Sequence, residues 1–157
     1  GGSMGGLQAL EWALLDPQRV RRVASIAASA RHSSWCMAIS EAQRMALRAD
    51  PAFDGGRYAD DAPPAAGLAA ARAIAMVSYR SPASLERRFG RALDEQVQGP
   101  RARRRGEPAV RGWLDHHGAA LVQRFDANSY LALLDAMDTH DLGRGRGGLD
   151  AALRALT

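Results

Sequence analysis

Apolar positions along the chain follow two rhythms. From Gly6 to Leu15 the residues Leu7, Leu10, Trp12, Leu14 and Leu15 crowd a short stretch that reads as a helix. Asp16-Pro17 ends it, because the residue before a proline is pushed out of the helical region. Val20 to Ala28 is different: Val20, Val23 and Ile26 alternate with small residues between polar loops. That short β-branched run predicts a strand buried on both faces of a parallel sheet. Turn, helix and strand together make half of a βαβ unit, whose first strand is expected before residue 1.

After Ala30 the rhythm is helical throughout. Ser34 to Ala49 forms a helix closed by Asp50-Pro51, and a Gly/Asp/Pro-rich loop runs from Asp54 to Pro64. Gly67 to Tyr79 is the next helix. Ser81-Pro82 starts another that runs through Leu85 to Phe89, with serine as N-cap and proline in the first turn. Gln98 to Pro108 reads as an exposed loop. Helices resume at Val110 to Gln123 and Ser129 to Asp138, Gly143 to Gly148 is a loop, and Leu149 to Leu156 is a last short helix. One strand and then more than a hundred residues of helix do not make a closed α/β domain. The expected fold class is α/β, as core material at 1–30, a mostly helical lid at 31–142, and a return segment at 143–157.

Composition changes this picture little. The 157 residues are 46% apolar, which suits a packed domain and argues against disorder. No apolar run approaches the ~20 residues of a membrane span, so no membrane partner is expected. Cys36 is the only cysteine, so an internal disulfide is impossible, in keeping with a cytoplasmic setting. The net charge of +4 comes wholly from arginine, as the chain has no lysine. Apart from Arg101-Ala102-Arg103-Arg104-Arg105 the arginines are scattered among acids, without interleaved aromatics, so no nucleic-acid partner is expected.

The chemistry concentrates at the start. Gly1-x-Ser3-x-Gly5 fits the G-x-S-x-G elbow, in which a serine stands on a sharp strand-to-helix turn with its oxygen lifted above a sheet. Small neighbours are needed because larger ones would clash in such a turn. Met4, the next residue, would offer its backbone N–H to a developing oxyanion at the positive end of the helix. A glycine-rich tail would bear no relation to the segments after it. Here the turn leads into the helix and strand that an elbow requires.

Four motifs in order extend this reading: Gly1-Gly2-Ser3-Met4-Gly5-Gly6-Leu7-Gln8-Ala9-Leu10-Glu11-Trp12-Ala13; Ala70-Ala71-Arg72-Ala73-Ile74-Ala75-Met76-Val77-Ser78-Tyr79-Arg80-Ser81; Arg124-Phe125-Asp126-Ala127-Asn128-Ser129-Tyr130-Leu131; and His140-Asp141-Leu142-Gly143-Arg144-Gly145-Arg146-Gly147-Gly148. Together they resemble the homoserine O-acetyltransferase family of α/β-hydrolase-fold acyltransferases, over essentially the whole chain; Asp94 to Pro108 matches least. The resemblance implies acetyl transfer from acetyl-CoA, as co-substrate, to the hydroxyl of L-homoserine in methionine biosynthesis, with Ser3 as covalent nucleophile and no permanently bound cofactor. It also implies that Arg72 and Tyr79 bind the amino-acid substrate, and that a homodimer forms through the lid. The family's catalytic Asp and His lie C-terminal to the lid. The resemblance therefore implies a fragment that lacks them, along with the earlier strands. A succinyl donor, a serine acceptor, or a serine esterase of the same fold are the neighbouring alternatives. A non-catalytic helical interaction module is the alternative outside enzymology.

Other constellations read as structural. His140-Asp141 has the wrong order for a triad of this fold, and adjacent side chains cannot face each other as base and orienter. His116 and His117 with Asp115 lack the clustering of a metal site, since adjacent histidines point apart on a helix. His32 and Cys36 are four apart, but the serine elbow already accounts for a nucleophile. Trp35, Met37, Met45, Leu47, Met76 and Phe89 read as lid packing.

Overall fold

The computed structural model describes residues 1–93 and 106–156, so Arg101 to Arg105 fall outside the described residues. Seven α-helices occupy the described residues: α1 (Met4–Leu15), α2 (Ser34–Arg48), α3 (Ala65–Ser78), α4 (Pro82–Phe89), α5 (Ala109–Val122), α6 (Ala127–Thr139) and α7 (Leu149–Arg154), with a 3₁₀ turn at Pro51–Gly56. They fall into two compact units, one of Gly1–Ala38 with Ala132–Thr157 and one of Ile39–Leu131. No described helix is long and apolar enough to cross a membrane.

In the first unit, α1 stops at Asp16-Pro17 as the sequence predicts: the Asp16 N–H closes on the Trp12 carbonyl at 3.0 Å. The expectation of a buried strand at Val20 to Ala28 is corrected. The described residues contain no strand; Gly2 and Ile26 form an isolated parallel bridge, and Ile26 is 66% exposed. A ladder needs a partner long enough to pair along its length, and the cross-chain backbone bonds of this segment go to the short run Gly1 to Ser3.

The second unit has a defined core of Leu47, Phe53, Leu68, Leu121 and Ala127, with Tyr58, Val122, Phe125, Tyr130 and Leu131 packed against it. Its framework begins at Asp50. One carboxylate oxygen accepts from the Ala52 N–H at 3.0 Å and the other from the Gly67 N–H at 2.7 Å. A single side chain thus starts the 3₁₀ turn and ties the beginning of α3 to the end of α2. Ser81 caps α4 by accepting from the Ser84 N–H at 3.2 Å, as its serine-proline pair predicts.

The buried face of α2 is Ser40, Gln43, Arg44 and Leu47, the i, i+3, i+4, i+7 stripe of an amphipathic helix. Three of those four are polar. This corrects the packing expected of Trp35 and Met45, which lie on other faces of α2 and are 73% and 64% exposed; Met37 is exposed as well. Leu47 and Met76 are buried as expected. The polar stripe is satisfied internally: the Tyr130 hydroxyl donates to Gln43 Oε1 at 2.5 Å, Gln43 Nε2 donates to the Ile39 carbonyl at 2.9 Å, and Arg44 pairs with Glu41 at 3.5 Å.

Asp126, just before α6, accepts from the Tyr58 hydroxyl and from the Ser129 N–H at 2.7 Å. The same Tyr58 oxygen accepts from the Asn128 N–H at 2.9 Å. The Tyr58 hydrogen bond first, and the Ser129 N–H after it, hold the Asp126 carboxyl below its ordinary value of 3.8. A depressed carboxylate pKa contributes stability that is present above the unfolded value and is lost as pH falls through the folded one.

Both the core and this hydrogen-bonded corner can be tested by unfolding. Leu47→Ala, at a side chain with no exposed surface, should cost about 2–5 kcal/mol in chemical denaturation. Tyr58→Phe should cost about 1 kcal/mol near neutrality. Thermal unfolding should show that second difference shrinking in acid below the ordinary carboxylate value.

Candidate active site

Ser3 stands at φ 50°, ψ −128°, immediately before α1. A non-glycine residue there carries roughly 1–3 kcal/mol of strain and persists only where its surroundings over-determine it. They do so here. The Ser3 N–H donates to the Ile26 carbonyl at 3.0 Å, and the Ile26 N–H donates to the Gly1 carbonyl at 3.0 Å. The Ser3 carbonyl in turn accepts from Gly6 at 2.7 Å and Leu7 at 3.2 Å, so the strained residue also launches the helix.

Two glycines make the turn possible. A Cβ on Gly1 would lie 2.4 Å from the Gly5 carbonyl oxygen. One on Gly6 would lie 2.7 Å from the Ala28 Cβ and 2.8 Å from Ser25 Oγ. Gly5, the last glycine of the pattern, has nothing within 4 Å of such a position. The steric demand thus falls on Gly1 and Gly6 rather than evenly across the motif.

The Ser3 side chain makes no capping bond to α1, so its hydroxyl is not consumed by the helix it starts. Met4 supplies the first amide of α1, one that helix geometry leaves without an intrahelical acceptor. Ser3 and Met4 both line a cavity of about 310 Å³ whose other walls include Ala27, His32, Cys36 and Met137. Ala27 also has a positive φ, 50°. Chemically this is an accessible hydroxyl beside an uncommitted N–H at the positive end of a helix, the minimum for acyl capture and oxyanion stabilisation.

The fourth motif holds α1 in place. Glu11, on α1, forms a two-point pair with Arg146, Oε2 to Nη2 at 2.6 Å and Oε1 to Nη1 at 3.3 Å. That hydrogen bond raises the Arg146 pKa further. Arg146 also donates to the Leu142 carbonyl at 2.9 Å, and His140 Nδ1 lies 3.6 Å from Glu11 Oε1. Asp141 turns elsewhere, accepting from the Gly143 N–H at 2.9 Å with Arg31 at 3.9 Å. His140 and Asp141 therefore serve different partners, in keeping with the expectation that they are not base and orienter.

Arg72 and Tyr79 belong to the second unit. Arg72 sits on α3 and Tyr79 caps its end, with the guanidinium carbon 5.6 Å from the centre of the Tyr79 ring. A cation held over a ring does not need its N–H donors for that contact, so they stay available for a carboxylate. Tyr130 is close enough to feel both. Burial first, and the neighbouring Tyr79, push its pKa up to about 12, while Arg72 pulls it down. It therefore stays a neutral donor to Gln43. Burial first, then His116, and then Arg72, Arg88 and Arg80, lower the His117 pKa. Among the described residues no group of three or more His, Cys, Asp or Glu could hold a metal ion.

Sequence reasoning missed one pair. His32 Nδ1 lies 2.8 Å from Asp138 Oδ1, with the two side chains 18% and 12% exposed. The partners are 106 positions apart, so no local pattern announces them. Cys36, four residues after His32, instead accepts from Ser33 Oγ at 3.4 Å.

The profile of the α/β-hydrolase fold family matches residues 1–139. A homoserine O-acetyltransferase of Trichormus variabilis is 51% identical over 146 residues, covering 93% of this chain and 38% of that protein. One of Chlorobium chlorochromatii is 46% identical over 157 residues, covering 100% of this chain and 42% of its own length. The chain thus spans about two fifths of the length of the curated relatives it matches. In structure it superposes on esterase E22 with a TM-score of 0.78 at 25% identity, covering 99% of this chain and 42% of the esterase.

The crowding at the turn is testable in this chain. Gly6→Ala should destabilise it by about 1–3 kcal/mol through overpacking. Gly5→Ala should be neutral or stabilise it by about 0.5–1 kcal/mol, as an alanine inside a helix does. Equal losses in denaturation would contradict the contacts described.

Proposed function

The chain belongs to the α/β-hydrolase fold family, and from that premise we propose that it is part of a homoserine O-acetyltransferase, a cytoplasmic enzyme of methionine biosynthesis. The observation that carries the reading is the strained Ser3 at the start of α1, its hydroxyl free of capping and facing a cavity. Relatives named homoserine O-acetyltransferase at 46–51% identity support the choice of acyl donor and acceptor.

In this reading Ser3 Oγ attacks the thioester carbonyl of acetyl-CoA. The tetrahedral oxyanion rests on the Met4 N–H, the C–S bond breaks, and CoA leaves as the thiol with the serine's proton. The homoserine hydroxyl then attacks the serine ester. The bond from Ser3 Oγ to the acyl carbon breaks, and the acceptor's proton returns to the serine. Splitting the transfer lowers each barrier. Arg72 binds the homoserine carboxylate through its paired N–H donors, with Tyr79 beside it. An Asp and a His C-terminal to the lid carry the protons in this reading. Residues 31–142 act as the lid over the acyl-enzyme, and two copies associate through that lid.

Esterase E22, similar over nearly the whole chain, makes hydrolysis the second reading. In the full-length protein, acetyl-CoA with homoserine should yield O-acetylhomoserine. Thioester loss without acceptor should stop at about one turnover. Continued hydrolysis without homoserine would establish the esterase instead. Ser3→Ala should lower turnover by at least about a thousandfold. Arg72→Ala should raise KM for homoserine at least about tenfold while acyl-enzyme formation persists. Unchanged homoserine kinetics would remove Arg72 from the site.

A further inference from the structure

The Ser3 cavity contains a histidine that the reaction described above does not use. His32 lies just before α2 and lines that cavity together with Ser3 and Met4. Most of its ring is buried, and Asp138 on α6 holds it through Nδ1 at 2.8 Å. A carboxylate partner of this kind fixes both the rotation and the tautomer of an imidazole. An ionised carboxylate can only accept, so the tautomer that fits Asp138 has its proton on Nδ1 and leaves Nε2 as the acceptor. Besides Ser3, the cavity's other polar side chains have local partners. Ser29 Oγ donates to the Arg31 carbonyl at 2.7 Å, and Cys36 accepts from Ser33. The remaining walls, among them Met4, Leu7, Ala28 and Met137, are apolar.

We propose that His32, oriented by Asp138, is a positioning residue that accepts a hydrogen bond from the incoming acyl acceptor beside acylated Ser3. The acceptor class is a small molecule that brings a hydroxyl or ammonium donor into an otherwise apolar pocket. Such a pocket discriminates strongly, because a donor without an acceptor there loses its water and gains nothing in exchange. A thioester has no such donor. His32 therefore acts on the second half of the reaction and leaves the first alone. This inference rests on the reading of Ser3 as the acylated nucleophile.

The test uses the full-length protein and follows two signals: the burst of CoA released without acceptor, and the KM for homoserine. His32→Leu removes the acceptor atom. It should raise that KM about tenfold and leave the burst amplitude within about twofold of the parent. His32→Gln keeps an acceptor oxygen and should recover most of the loss. Asp138→Asn can present an N–H to Nδ1 and so turn Nε2 into a donor; it too should raise the KM. A homoserine KM within about twofold of the parent in His32→Leu would overturn the proposal. So would loss of the burst in His32→Gln, which would make His32 part of serine activation or of the fold. Absence of a burst in the parent protein would reject the serine reading itself, a separate result.

Discussion

The chemistry of this chain depends on one uncomfortable residue. Ser3 is held at a positive φ by the bridge in which Ile26 bonds both Ser3 and Gly1 on one side and by the first bonds of α1 on the other. Relaxing the turn would mean giving up bonds on both sides. The same constraint explains the glycines, because α1 approaches Ala28 and Ser25 so closely that Gly6 admits no side chain. It also explains why Glu11 is clamped by Arg146. A two-point ion pair within the same unit fixes α1 in rotation and translation.

The second unit solves a different problem. Its helix α2 buries Ser40, Gln43 and Arg44, a costly choice unless every polar group finds a partner. Gln43 bridges Tyr130 and the Ile39 carbonyl, and Arg44 meets Glu41. Tyr130 in turn shares its neighbourhood with Arg72 and Tyr79. A buried polar network of this sort gives rigidity and a defined geometry more than net stability. The turn at Ser3 and the Arg72–Tyr79 contact thus each have a polar network close by.

Much of this was legible in the sequence because the signals were local. Asp16-Pro17 and Ser81-Pro82 mark helix boundaries by covalent restriction, and the structure places an end and a start there. The sharp turn at Ser3 was legible because its glycines are followed by the helix that such a turn opens. The strand at Val20 to Ala28 was not, because strandedness belongs to a pair of segments and this one bonds only a short run of the chain. Trp35 and Met45 misled for a related reason: apolar character suggests burial, yet the buried face of α2 is mostly polar, and its partners come from α6 and from α2 itself. The His32–Asp138 pair left no trace at all, because its members meet only through the fold.

A covalent intermediate is the point on which the account turns. The full-length protein, mixed with acetyl-CoA in the absence of any acceptor, quenched in acid and digested, should carry a single acetyl ester, on the peptide that contains Ser3. Adding homoserine before the quench should discharge it. An unmodified Ser3 peptide under conditions in which the protein turns over acetyl-CoA would contradict the account, as would an ester at any other residue.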